Sequence, residues 1–65
     1  MYTDELARIK EAAERGDAKA QLMLGECYAN RIGVRWDPDE AVKWFKKAAG
    51  QGNKYAADKL KGMEP

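Results

Sequence analysis

The chain has 65 residues and a formal net charge of +1, because its 12 basic and 11 acidic residues nearly cancel and are interspersed. A chain of this length predicts a single domain over 1–65, with a marginal core. The charge pattern excludes the basic stripe of a nucleic-acid-binding protein, and no run is long and apolar enough to cross a membrane. The N-terminus also lacks the regions of a signal peptide. We therefore expect a cytoplasmic protein with neither a nucleic-acid nor a membrane partner.

The chain contains no histidine and no serine, and Cys27 is its single cysteine. A cysteine nucleophile needs a base that generates the thiolate, and this base is usually histidine. Cys27 is therefore predicted to be a small core residue, and one cysteine forms no intramolecular disulfide. We expect no catalytic residue, no cofactor, no metal ion and no small-molecule substrate.

Apolar residues recur three and four positions apart in four segments, which predicts an all-α chain. The predicted antiparallel helices span about 3–15, 18–30, 38–50 and 53–62. The first helix has a narrow apolar stripe and ends at Gly16, and Asp17 is placed to cap the second.

The second helix places Ala20, Leu24, Cys27 and Tyr28 on one face. Gly25 within it is disfavoured by about 1 kcal/mol relative to alanine, which a neighbouring helix backbone passing close by would explain. In the loop that follows, Gly33 is predicted to have a positive φ angle. Trp36 has two interpretations: a lid folded over the helix ends, or an exposed anchor for a partner.

The stretch Asp37-Pro38-Asp39-Glu40 has the pattern of a helix start. Asp37 is the predicted N-cap, Pro38 holds the first helical position, and Glu40 is predicted to complete a capping box. Three carboxylates so close together also suggest a metal site, but capping accounts for every member. The third helix then buries Ala41, Trp44, Phe45 and Ala48, and Asn53 opens the fourth.

A shift of 36 residues aligns parts of the sequence with itself. Gly16 then falls on Gly52, Ala20 on Ala56, and Leu24 on Leu60. Periods in this range are typical of helical solenoids, in which each unit buries its apolar face on its neighbours. One full unit, at about 17–52, is flanked by half a unit on each side.

Within that unit, about a dozen residues form a pattern of fixed order and spacing: Leu24-Gly25, Tyr28, Gly33-Val34, Asp37, Ala41, Trp44-Phe45, Lys47-Ala48-Ala49 and Gly52. This pattern resembles that of the Sel1-like repeats, which belong to the tetratricopeptide-like α-solenoids. One position departs from the pattern, because Arg31 stands where the family usually has glycine. If its backbone is left-handed, Arg31 costs on the order of 1–2 kcal/mol. Alternatively, Asn30 takes that conformation and the helix ends one residue earlier.

The resemblance implies a non-enzymatic adaptor or scaffold that presents a concave helical surface to a protein or peptide. In the geometry of this class, the first helix of each pair lines the concave surface. The residues that this geometry places there are Lys19, Leu22, Glu26, Ala29, Asn30, Tyr55 and Asp58. With Trp36, they are the predicted partner-binding residues.

Two other functions remain open. Apolar residues on both terminal helices predict, as the alternative, a structural repeat unit that forms a homo-oligomer, dimerising to complete its solenoid core. The third hypothesis is an enzyme, because some cysteine-rich relatives of this repeat class are associated with β-lactam binding or hydrolysis. The chain lacks both the serine nucleophile and the paired cysteines, which makes this hypothesis the weakest.

Overall fold

The computed structural model describes residues 2–63, and the side chains from residue 5 onward. Four α-helices span Tyr2–Glu14 (α1), Ala18–Asn30 (α2), Pro38–Gly50 (α3) and Lys54–Met63 (α4). The all-α tetratricopeptide-like prediction is confirmed, and the bounds of the two central helices agree with those expected. The first helix lies one residue earlier than predicted. The fourth begins one residue later and continues through Gly62 to Met63.

Side-chain caps begin the last three helices. The backbone N–H of Ala20 donates to Oδ1 of Asp17 at 3.1 Å, that of Glu40 to Oδ1 of Asp37 at 3.1 Å, and that of Ala56 to Oδ1 of Asn53 at 2.9 Å. Such a cap satisfies an N–H group that has no partner within the helix, and it contributes about 1 kcal/mol.

The capping box at Asp37 is only half formed, so that part of the prediction is wrong. In a complete box, the Glu40 carboxylate would accept a hydrogen bond from the backbone N–H of Asp37. That N–H donates instead to the carbonyl oxygen of Tyr28 at 3.2 Å, which ties the start of α3 to the end of α2. Oε2 of Glu40 lies 4.0 Å from Nζ of Lys43.

The helices α1, α2 and α3 end in the same way, with a left-handed residue after the last turn. Gly16 and Gly52 have φ angles of 103° and 95°. The following residues donate backward, Asp17 to the carbonyl oxygen of Ala12 at 3.0 Å and Asn53 to that of Ala48 at 3.1 Å. This is the Schellman arrangement, and it recurs at the 36-residue period of the sequence.

Arg31 takes the same position at the end of α2. Its φ and ψ angles are 59° and 38°, and Ile32 donates to the carbonyl oxygen of Cys27 at 2.9 Å. Of the two alternatives for this turn, the strained arginine is the one observed, and α2 extends through Asn30.

Two clusters of buried side chains form the core. The first contains Ala13, Ala20, Leu24 and Trp44. The second contains Ala41, Phe45, Ala48 and Ala56. Tyr28 is half-buried and packs against both clusters, so α2 and α3 form the centre of the molecule.

Gly25 is explained by a side chain rather than by a helix backbone. A Cβ atom on Gly25 would lie 2.6 Å from Cε1 of Phe45, closer than carbon atoms approach. The missing side chain of Gly25 therefore makes room for the largest fully buried residue of the core.

Candidate functional site

An apolar groove runs between α1 and α2 and consists of two adjoining depressions. The first, of about 260 Å³, is lined by Glu5, Leu6, Ile9, Met23, Glu26, Cys27 and Ile32. The second, of about 220 Å³, is lined by Arg8, Ile9, Ala12, Asp17, Lys19, Ala20 and Met23. Because the two share Ile9 and Met23, we treat them as one surface, the α1–α2 groove.

The α1–α2 groove exposes large apolar side chains to solvent. Met23 and Ile32 each have 40% of their surface exposed. Burying such side chains against a partner releases about 25 cal/mol for each Å² removed from water. The groove is therefore an apolar surface whose burial would be favourable.

Charge differs between the two ends of the groove. Glu5 and Glu26 lie in the first depression. Arg8 and Lys19 lie in the second, where Asp17 offsets one of the two positive charges. Complementary charge gives a partner orientation and speed of association more than affinity, so this polarity favours one direction of binding along the groove.

The residues that family geometry selects fall into three groups. Lys19 and Glu26 lie in the α1–α2 groove, at opposite ends. Leu22 and Ala29 are half-buried and pack against the second core cluster, toward α3 and α4. Asn30, Tyr55 and Asp58 are exposed, and Tyr55 has 74% of its surface in solvent. The binding role of these residues stays a prediction.

The two tryptophans differ in their surroundings. Trp44 is buried, and the Nζ atoms of Lys47 and Lys43 lie 4.7 Å and 5.9 Å from its ring centroid. Trp36 has 55% of its surface exposed and belongs to neither buried cluster. A lid would bury more of its ring, so the exposure of Trp36 favours the anchor interpretation.

Cys27 lines the groove but is buried. Burial raises the pKa of its thiol, and the neighbouring Glu26 carboxylate raises this pKa further. Both causes favour the neutral thiol, whereas a nucleophilic cysteine requires the thiolate. The environment of Cys27 is that of a packed side chain.

Two exposed residues of the groove, Met23 and Ile32, are not among the predicted partner-binding residues. Met23 follows Lys19 by one helical turn, so its position beside a predicted binding residue was a usable signal. Ile32 follows the end of α2, where the residue after a left-handed cap commonly makes an apolar contact with the last helical turn. Ile32 and Cys27 occupy these two positions and line the same depression.

The buried Gln21 was also missed. Its Nε2 donates to the carbonyl oxygen of Ala13 at 3.0 Å. Nε2 of Gln51 donates to Oε1 of Gln21 at 2.9 Å and to the carbonyl oxygen of Gly16 at 2.8 Å. These bonds join the ends of α1 and α3 to the start of α2. A polar side chain three residues before Leu24, on the same helix face, was the available signal.

Among the described side chains of residues 5–63, no group of three or more cysteine, aspartate and glutamate residues is arranged to hold a metal ion. None of the four described helices has the length and apolar character that crossing a membrane requires.

The family model of the Sel1 repeat matches residues 18–53. The chain is 40% identical to "DAP3-binding cell death enhancer 1" of Rattus norvegicus, over 95% of this chain and 13% of that protein. It is 43% identical to a Sel1-like repeat-containing protein of Acanthamoeba polyphaga mimivirus, over 72% and 8%. It is 40% identical to "Chitin synthase regulator SKT5" of Saccharomyces cerevisiae, over 82% and 8%.

The chain therefore spans about an eighth or less of the length of these relatives. No solved structure shows significant similarity to it.

Proposed function

Since the chain belongs to the Sel1 repeat family, we propose that it is a non-enzymatic interaction module that presents a concave helical surface to a segment of another protein. Sel1 repeat proteins are generally interaction and adaptor modules. The names of two relatives, a binding protein and a regulator, agree with this class of function.

One observation carries the proposal: the α1–α2 groove exposes apolar side chains between two ends of opposite charge. Met23 stands at the centre of the groove, where both depressions meet. Interface energy concentrates in a few central side chains that become fully desolvated, so Met23 is the expected main contact. Glu26 and Lys19 then set the direction of the bound segment.

A selection from a library of helical peptides tests this function. Peptides enriched on the wild-type chain are titrated against Met23→Glu, which places a charge at the centre of the groove. We expect Met23→Glu to weaken binding by about 2 kcal/mol or more, as for a central interface contact. The matched control is Lys46→Glu, on the exposed face of α3. Equal binding to wild type and Met23→Glu would show that the peptides bind elsewhere.

Self-association is the second candidate function, and the helical repeat favours it. The helix α4 holds the position in the repeat that α2 holds 36 residues earlier, because the two helices begin at residues 54 and 18. A second copy therefore offers a helix that has the same position in the repeat as α2.

A further inference from the structure

The pair α3–α4 shows how a groove between two helices of this repeat is filled. The helices α1 and α3 span 2–14 and 38–50, bounds that differ by one period at both ends. The pairs α1–α2 and α3–α4 are thus the same unit. In the second unit, Leu22 and Ala29 of α2 pack against the buried cluster. The preceding helix, α2, covers the pair α3–α4.

Every buried residue of that cluster has a counterpart in the α1–α2 groove. The cluster consists of Ala41, Phe45, Ala48 and Ala56. One period earlier stand Glu5, Ile9, Ala12 and Ala20, and all four line the groove. The groove is therefore the place where a helix equivalent to α2 packs.

We propose that the α1–α2 groove receives the helix α4 of a second copy of this chain, so that copies associate head to tail. The proposal rests on self-association, the second candidate function above. The two surfaces that meet are the groove of one copy and the α4 helix of the next.

Charge complementarity supports this occupant at the acidic end of the groove. Within the chain, Gly25 lies against the ring of Phe45. In the contact between copies, Lys61 of one copy stands where Gly25 stands within the chain, and Ile9 of the next copy stands where Phe45 stands. Glu5 lies one helical turn before Ile9 on α1. The contact therefore brings the exposed ammonium of Lys61 toward the exposed carboxylate of Glu5.

The basic end of the groove is complementary in the same way. Because α2 and α3 run antiparallel, Leu22 lies toward the Ala48 end of the covered pair. One period later, Asp58 stands where Leu22 stands on α2. In the contact between copies, Asp58 therefore meets the end of the groove where the two cations Arg8 and Lys19 outnumber Asp17. The cation and the carboxylate of α4 thus each meet the opposite charge in the groove.

Two different surfaces meet in this arrangement, so association is heterologous and does not close at two copies. The weight-average mass is expected to rise steadily with concentration and to pass the mass of a dimer. The charged contacts make the association weaker at high salt, because exposed ion pairs are screened.

Two double variants that keep the net charge test the proposal. Asp58→Lys with Lys61→Glu reverses the two α4 charges of the proposed contact, and Glu5→Lys with Lys19→Glu reverses one charge at each end of the groove. All four side chains are exposed, so circular dichroism should show wild-type helicity. The matched control, Glu14→Lys with Lys46→Glu, exchanges exposed charges outside both surfaces.

Sedimentation equilibrium over a hundredfold concentration range gives the result. We expect each reversed variant alone to associate about tenfold more weakly than the wild type, because like charges then face each other. An equal mixture of the two should regain wild-type association, since each reversed groove meets a reversed helix. The control should associate as the wild type does.

Three outcomes would overturn the proposal: a monomer at every concentration, a closed dimer, or a mixture no more associated than its parts. If the chain stays monomeric but its groove binds peptides, the proposed interaction function is supported and only the head-to-tail association is contradicted. If a double variant does not fold, the chain with all four substitutions replaces it. Regained association of that chain supports the proposal, and its absence contradicts it.

Discussion

The helix pairs α1–α2 and α3–α4 are one structural unit repeated after 36 residues, with the same turn between the helices and a side-chain cap at the start of the second helix. Their surroundings differ. The pair α3–α4 is covered by α2, and Phe45 and Ala56 are fully buried beneath it. On the pair α1–α2, the corresponding side chains line an open groove.

The difference shows that position in the repeat sets the local backbone, while neighbouring helices decide what is buried. The sequence agrees with the surroundings of each unit. The covered unit has Phe45 and Ala41 where the open unit has the smaller Ile9 and the charged Glu5. An exposed groove tolerates a carboxylate, but a buried cluster would have to pair or desolvate it.

Removing equivalent side chains from the two units gives the largest expected effect. Phe45→Ala should cost about 3–5 kcal/mol of unfolding free energy, because a fully buried ring leaves a cavity. That loss approaches the whole stability of a small domain, so most helicity should disappear at 25 °C. Ile9→Ala, at the half-buried counterpart, should cost only about 1–2 kcal/mol. Urea unfolding followed by circular dichroism measures both, and equal costs would contradict the difference between the units.

Adding a methyl group tests how tightly α2 covers the second unit. Gly25→Ala should destabilise the chain by about 1–2 kcal/mol, since its Cβ would overlap the Phe45 ring by more than the helix propensity of alanine compensates. The matched control is Gly62→Ala in α4, where a Cβ meets nothing within 4 Å. This control should stabilise the chain by up to about 1 kcal/mol. A stabilising Gly25→Ala would mean that α2 packs loosely on Phe45.

The turn after α2 differs from the turns after α1 and α3, because Arg31 holds the left-handed position that glycine holds in the other two. Arg31→Gly should raise the unfolding free energy by about 1 kcal/mol, because glycine adopts the left-handed conformation without strain. The thermal midpoint reports the gain. Asn30→Gly, one residue earlier and still within the helix, should lower the midpoint instead. A lower midpoint for Arg31→Gly would show that its side chain contributes more than its backbone costs.

The smallest expected effect concerns the thiol of Cys27, which lies in the open unit α1–α2. Its pKa is raised in the folded chain. The folded state therefore holds the thiol proton more tightly than the unfolded state does. The resulting stability is present below the unfolded pKa and is lost as the pH rises through the folded pKa. We expect alkylation by iodoacetamide at pH 8 to be about tenfold slower in buffer than in urea, because burial limits both thiolate formation and access. Equal rates would show an accessible thiol.

Much of the fold follows from residues that act locally. The caps Asp17, Asp37 and Asn53 mark three helix starts, and the spacing around Leu24 and Phe45 marks the buried faces. Predictions that needed a spatial neighbour were less secure. Glu40 forms no capping box because Tyr28 takes the N–H of Asp37, and Gly25 meets a ring rather than a backbone.

The candidate site was harder to predict than the fold. Family geometry selected Lys19 and Glu26, which do lie in the groove, but it missed Met23 and Ile32. A groove depends on how far two helices stand apart and on which side chains fill the space between them. Periodicity along one helix does not contain that information, so an exposed methionine is not distinguished from a buried one.

Residue-by-residue amide hydrogen exchange of the dilute chain tests most directly whether one unit is covered and the other open. We expect the slowest exchange in α3, around Phe45 and Ala48, with α1 exchanging at least tenfold faster around Ile9, because an uncovered helix opens locally at lower cost. Equal protection of α1 and α3 would contradict this expectation, since the two units would then be equally well packed.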